Sequence, residues 1–331
     1  MGIFARGIAN VPLLVCDPQV WRAHPELYHY TGRTGFDGVV RSNSFWATHF
    51  RDLKDDPTEV VGLRTALPPA IAARYDEIVA NFKTDRIARR LWKKEGRGLG
   101  TARDFVNSLY SATFDGKTPT ALDAFVTSFS THAADGGFER EHGLWSQWRD
   151  YAGPDGYCIV LDTKAMALLL SEECDVRYWA HLKLDPVRYG DRPIAELFPE
   201  LVEAAGRTLQ QFLTKEHEPE MGVQEFLIGS TLLKNPKYIP ERELRIVAIP
   251  GTSKMSTIAL REHADVFKSL PLPEIRPRND GRRYVSVFEG KSIRLPISRV
   301  IVGPAVGAEE RVAHVRSLLP GVSVFVSKSG P

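Results

Sequence analysis

Leu27-Tyr28-His29-Tyr30-Thr31 is the stretch on which the fold turns. It is a short run of strand formers holding a histidine between two aromatic rings, and Gly32 and a helix-like segment follow it. Strand alternation sends Tyr28 and Tyr30 to one face and Leu27, His29 and Thr31 to the other. A face that carries histidine beside threonine makes a poor apolar core. It reads either as a polar site or as an edge strand whose histidine is bonded to backbone.

Working outward, Gly35–Arg41 is expected to be a short helix and Ser44–Thr48 a second strand beside the first. Residues 1–26, broken by Pro12, Pro18 and Pro25, read as an irregular lead-in. The acids Asp52, Asp55, Asp56 and Glu59 crowd a turn around Pro57, where Asp56 suits a helix cap. Apolar residues from Pro68 to Lys94 recur at helical spacing with a basic end. Gly96–Gly100 reads as a flexible connection, because it follows a helix and so lacks the context of a dinucleotide-binding loop.

Ala124–Ser130 is expected to be a strand that runs into a polar loop. A helix bearing Trp145, Trp148 and Tyr151 follows, and then the buried strand Tyr157–Leu161. Beyond it, Lys164–Ser171 reads as helix, Val176–Leu184 as strand, and Ile194–Thr214 and Met221–Leu233 as amphipathic helices. The break at Lys215–Glu220 lacks HExxH spacing, so no metal site is expected there. From Glu241 the chain alternates, with Glu241, Glu243 and Arg245 on one face and Leu244 and Ile246 on the other. Arg245 would keep a neighbouring glutamate ionised, or the three residues would simply make an exposed strand face. Pro271–Arg283 reads as a loop. A terminal strand–helix–strand unit, Val300–Val302, Ala308–Leu319 and Val322–Val326, would complete the sheet without a phosphate-cradling loop.

The composition is that of an ordinary globular protein. Of 331 residues, 43% are hydrophobic and 25% charged, and 43 basic against 41 acidic side chains leave no global field to attract nucleic acid. Three cysteines without CxxC spacing (Cys16, Cys158, Cys174) suit small packing residues in a reducing compartment. No segment is apolar enough to span a bilayer and no signal-peptide core opens the chain, so a cytoplasmic bacterial protein with no membrane partner is expected. Residues 27–331 are expected to form one α+β domain with helical insertions at about 60–112 and 193–233.

The blocks together resemble a bacterial family described only as a domain of unknown function. Its pattern appears here as Tyr28–Thr31, Ser44–Glu59, Phe129-Ser130, Trp145 with Tyr151, Gly156–Asp162, and Lys234 with Glu241, Glu243 and Arg245. The order of a histidine-bearing first strand, a central serine strand and a late glutamate strand is also similar to the ADP-ribosyltransferase superfamily. That resemblance implies a split, mainly antiparallel sheet and NAD as substrate. It implies that His29 holds the ribose, with Thr31 beside it, and that Ser130 is the middle-strand polar residue. Glu243 or Glu241 would be catalytic and Arg245 would orient it. Tyr30 or Trp145 could stack on the nicotinamide, and because Tyr30 faces away from His29, Trp145 or Trp46 is at least as good a ring.

The expected activity is ADP-ribosyl transfer to a macromolecular acceptor, protein or nucleic acid, in a toxin, effector or antiviral defence setting. Two other readings stand beside it. One is a non-catalytic sensor of a nucleotide or phage component. The other is a magnesium-dependent nuclease using Asp52, Asp55, Asp56 and Glu59.

Overall fold

The computed structural model describes residues 15–53, 59–81, 99–114, 122–132, 137–213, 222–262, 269–290 and 294–328. Its strands are β1 (Glu26–Thr31), β2 (Phe45–His49), β3 (Phe125–Ser130), β4 (Tyr157–Asp162), β5 (Trp179–Pro186), β6 (Arg188–Tyr189), β7 (Leu233–Lys234), β8 (Glu243–Pro250), β9 (Ile275–Pro277), β10 (Arg283–Val287), β11 (Ile297–Val302) and β12 (Ser323–Val326). The chain falls into two compact units. One holds residues 1–52, 125–187 and 239–331, and the other holds 53–124 and 188–238.

The first unit is built on a ten-stranded, mixed but largely antiparallel sheet. Its geometry is set by β3. On one side β3 pairs along its whole length with β8, from Phe125↔Ala248 to Ser130↔Glu243. On the other side it pairs with two strands in succession, with β1 only at Tyr28↔Ser130 and with β2 only at Thr48↔Val126 and His49↔Phe125. The sheet therefore divides along this edge of β3. One arm continues through β1, β4, β11 and β12, and the other through β2, β10 and β9. β5 lies outside β8. Among the described residues one strand pair of this sheet is parallel, β11 with β12, joined across the helix Ala308–Leu318, which completes the sheet as the sequence pattern implies.

Two strands of the sheet are buried almost throughout, one of them continuously apolar and the other carrying a glutamate and an arginine. Tyr157–Leu161 of β4 is buried at every position, its alternate side chains entering the cores on the two faces of the sheet, and all of β8 is buried as well. One face of the sheet packs on a core that includes Leu27, Phe45, Phe129, Ile159, Leu161, Leu244 and Ile246 against Phe36, Met166 and Leu170 from helices. Each large side chain removed from water there contributes about 1.5–3 kcal/mol. Helix Thr163–Val176 starts where Asp162 accepts the Ala165 N–H (2.7 Å), and Pro18–Ala23 is capped by Asp17 in the same way. Helix Arg33–Ser42 needs glycine at position 35, since a Cβ there would lie 2.0 Å from the Thr31 hydroxyl.

The second unit contains helices Glu59–Asn81, Leu99–Phe114, Ile194–Leu197, Pro199–Leu213 and Val223–Leu232, with β6 and β7 as a short parallel pair. No helix among the described residues is long and apolar enough to cross a membrane.

Several expectations are corrected. Residues 18–23 of the supposed lead-in are helical. The helix expected from Pro68 begins at Glu59 and carries Pro68 and Pro69 inside it, and Leu99-Gly100 open a helix where a connection was expected. The long helix from Ile194 breaks at Phe198, before Pro199, as the restriction on a residue preceding proline dictates. Helix Thr163–Val176 runs on to the point where the strand was expected to begin, and the strand starts only at Trp179. The Pro271–Arg283 loop contains the edge strand β9, and helix Ser253–Glu262 had no counterpart in the pattern. Asp55, Asp56 and Gly96–Gly98 lie outside the described residues.

Candidate functional site

Directly paired residues on neighbouring strands share a face, with Cβ atoms about 4.5–5.5 Å apart. The pairings Tyr28↔Ser130 and Ser130↔Glu243 therefore set Tyr28, Ser130 and Glu243 in one row across β1, β3 and β8. Ser128 and Arg245, two residues along, form a second row on the same face. Ser130 is 4%, Glu243 6% and Arg245 2% exposed. The Arg245 guanidinium grips Glu243 along its own strand, Nε donating to Oε1 at 2.7 Å and Nη2 to Oε2 at 3.2 Å. Opposite Arg245 on β5 stands Asp185, held by Lys183 at 2.7 Å. The row thus lies in a dense field of alternating charge.

His29 is not part of it. Parity places His29 and Thr31 on the opposite face from Glu243, toward Phe45 and Phe129, whose rings lie 5.2 and 5.6 Å from the imidazole. His29 sits where β1 and β2 part, and its Nδ1 lies 3.0 Å from the Ser128 carbonyl. A carbonyl only accepts, so Nδ1 carries the proton and Nε2 is left as an acceptor. Desolvation lowers the pKa of His29, so the ring is neutral near pH 7. The expected convergence of His29 and Glu243 on one ribose is therefore not the arrangement of this sheet. The register of β1 on β3, which a sequence does not reveal, decides this.

The other candidates divide between the arms. Trp46 is on the Glu243 face, through Thr48↔Val126, but on the β2 arm, where its ring lies tilted against Tyr284. Trp145 packs beside Tyr28, Tyr30 and Trp148 above the β1 arm. Glu241 is not on β8 at all. It ends the 3₁₀ turn Pro236–Glu241 and accepts the Tyr151 hydroxyl at 2.9 Å, so the alternation starts at Glu243.

Between the two glutamates lies a residue that sequence reasoning passed over. Arg242 has φ of +46°, a left-handed conformation that is uncommon outside glycine and marks local strain. Its carbonyl accepts both the Thr131 N–H (2.9 Å) and the Thr131 hydroxyl (3.0 Å), and its guanidinium reaches both carboxylate oxygens of Glu139 (2.8 and 2.7 Å). This kink turns the chain into β8 and fixes where Glu243 begins.

A second cluster was also missed. On β1, Glu26 takes paired hydrogen bonds from Arg140 (3.0 and 3.1 Å), a further pair from Arg299, and the Tyr28 hydroxyl at 2.7 Å. Burial raises the Glu26 pKa, but the donors from Arg299, Arg140 and Tyr28 outweigh it and hold the carboxyl far below its usual range. His132 stacks on Tyr28 with centroids 3.4 Å apart, and desolvation followed by the Arg242 charge lowers its pKa to about 3. Arg140, Glu141, Arg299 and Phe325 line a pocket of about 220 Å³ at this cluster. Its signal in the sequence is weak, because Glu26, Arg140 and Arg299 are far apart in the chain.

Among the described residues no group of three or more His, Cys, Asp or Glu could hold a metal ion. Asp52 accepts the Arg283 N–H at 2.9 Å. The three cysteines are buried, and burial pushes the Cys16 thiol up to about 12. No curated protein and no solved structure matches the chain. Residues 147–246, which carry Glu241, Glu243 and Arg245 but neither β1 nor β3, match the model of a family described as a protein of unknown function, DUF2971.

Proposed function

We propose that the chain transfers ADP-ribose from NAD to a macromolecular target, with Glu243 as the catalytic carboxylate. The observation that supports this reading is the adjacency of β1, β3 and β8. The histidine-tyrosine-threonine block, the serine block and the glutamate block, spread over more than two hundred residues, are consecutive strands at the division of a largely antiparallel sheet. In the reaction, the bond between the nicotinamide nitrogen and the ribose carbon breaks, the electron pair leaves with nicotinamide, and an acceptor nucleophile takes the carbon. A carboxylate beside the sugar stabilises the developing oxocarbenium charge, and Arg245 keeps Glu243 ionised. In this reading His29, on the opposite face, gives up the ribose-binding role, and Ser130 is the strand residue paired beside Glu243. His29 then serves the division of the sheet, where its ring replaces a strand partner at the Ser128 carbonyl.

The test is incubation of the purified chain with NAD labelled in the ADP-ribose moiety, following nicotinamide release and label on cell extract. Wild type should do both. Glu243→Gln, checked for an unchanged circular dichroism spectrum, should be slower by about 10²–10³, the usual cost of losing one transition-state contact. Absence of NAD consumption by the wild type overturns the proposal.

The burial of Glu243 and its in-strand ion pair also suit a second reading, a non-catalytic nucleotide sensor. In that case NAD, ADP-ribose or a nucleic acid would raise the melting temperature and no nicotinamide would appear.

A further inference from the structure

We propose that the face of β2, β9 and β10 around Trp46 is a docking platform for a single-stranded nucleic acid. Trp46 sits within a paired strand, opposite Ser286, and its indole is 43% exposed. An isolated exposed ring is unremarkable on a protein surface. This one is not isolated. Tyr284, one pair along on β10, lies against it with centroids 4.7 Å apart and planes tilted by 31°. The Arg278 guanidinium stands 5.7 Å from the indole centroid.

The β9–β10 hairpin supplies Arg276, Arg278, Arg282 and Arg283 within eight positions. Its turn is closed by the Arg278 N–H on the Arg282 carbonyl (2.7 Å) and the Gly281 N–H on the Arg278 carbonyl (3.0 Å). Arg276 is paired with Glu274 and Glu289, and Arg282 with Asp280. Arg283 turns toward His49 and Asp52. Arg278 is the one of the four whose guanidinium stands over the exposed ring.

Aromatic side chains on an open antiparallel sheet, flanked by arginine, offer unpaired bases what they need. Every base has a π face for stacking, and the guanidinium meets the phosphates. A duplex would gain little here, because its bases are already stacked and a flat sheet face does not reach their edges. A proline-rich peptide also lies on aromatic rings, but the Arg278 guanidinium over the indole, with Arg276 and Arg282 on the same face and Arg283 on the opposite one, favours a polyanion. Because Arg276 and Arg282 have carboxylate partners, the binding should be led by stacking and only shallowly salt-dependent.

The test uses the full chain in NAD-free buffer, so its outcome stands apart from the transfer reaction. Fluorescence anisotropy is measured with labelled oligo(U) and oligo(dT) of about twelve nucleotides, which is within the usual site size. The controls are an abasic deoxyribose-phosphate strand of the same length and a proline-rich peptide. Saturable binding of the oligonucleotides is expected, with the abasic strand about tenfold weaker. Trp46→Ala and Tyr284→Ala should each weaken it about tenfold, while Trp46→Phe stays within about threefold of wild type. Arg278→Ala should lower the salt slope by about one. Four results overturn the proposal: no oligonucleotide binding by wild type, equal binding of the abasic strand, no loss in Trp46→Ala, or preference for the peptide.

Discussion

The two arms of the sheet share one surface and treat it oppositely. On the β1 arm that face carries Tyr28, Tyr30, Cys158 and Ile301, and Trp148 and Ala152 cover them. Every hydroxyl there is tied down, since Tyr28 donates to Glu26 and Tyr30 accepts the Leu144 N–H at 2.8 Å. On the β2 arm the same face carries Trp46, Thr48 and Tyr284, none of them fully buried. An aromatic residue on a strand is thus an anchor or a contact surface according to what the next elements lay over it. The local alternation is the same in both places.

Trp148→Ala should damage the covered arm most. Trp148 is fully buried, meets Tyr30 edge-on at 5.0 Å and donates Nε1–H to the His142 carbonyl. Its loss should cost about 4 kcal/mol by urea denaturation. Glu26→Ala should cost about 2–3 kcal/mol, because it leaves the Arg299 guanidinium buried without its carboxylate.

The same cluster predicts an acid profile. His132 has a folded pKa of about 3, below its unfolded value of about 6.5. Its contribution is therefore complete above about pH 6.5 and is lost as pH falls toward 3. Glu26, also lowered, contributes above about pH 4.3 and loses that contribution at lower pH. Urea midpoints should fall steadily from pH 7 downward. His132→Phe should flatten the limb above about pH 4.5 and Glu26→Gln the limb below it.

Tyr30→Phe should cost about 1–2 kcal/mol, the price of a buried Leu144 N–H left without an acceptor. Trp46→Ala should lie within about 0.5 kcal/mol of wild type, as expected for a surface position. A loss above about 2 kcal/mol for Trp46→Ala would mean that the β2 arm is covered too, and the contrast between the arms would fall.

The strands that build the centre were legible because their chemistry is local. Tyr157–Leu161 is an unbroken apolar run, Phe125–Ser130 is rich in strand formers, and both appear where expected. The terminal strand–helix–strand unit follows from the same signals, whereas the largely antiparallel sheet was expected only from the family resemblance. Register was not legible. Whether His29 or Tyr28 joins Glu243 depends on one residue of slip between β1 and β3, and both registers fit the alternation of β1 alone. Glu241 was assigned to the strand because the pattern E-x-E continues through it. The left-handed Arg242 that ends the pattern there is held by Thr131 and Glu139, about a hundred positions away. The Glu26 cluster joins three remote segments and left no motif to find.

The pairing of β2 with β10 also sets a clock on synthesis. Thr48 meets Tyr284, so 236 residues separate the partners. At about 5–20 residues per second, the ribosome takes roughly 12–50 seconds to make the second strand after the first. For that interval one edge of Phe45–His49 has no native neighbour, which exposes a nascent β-strand to capture by other chains. Slower elongation or loss of a holding chaperone would therefore lower the yield of soluble protein through this one segment, long before the completed molecule shows any instability.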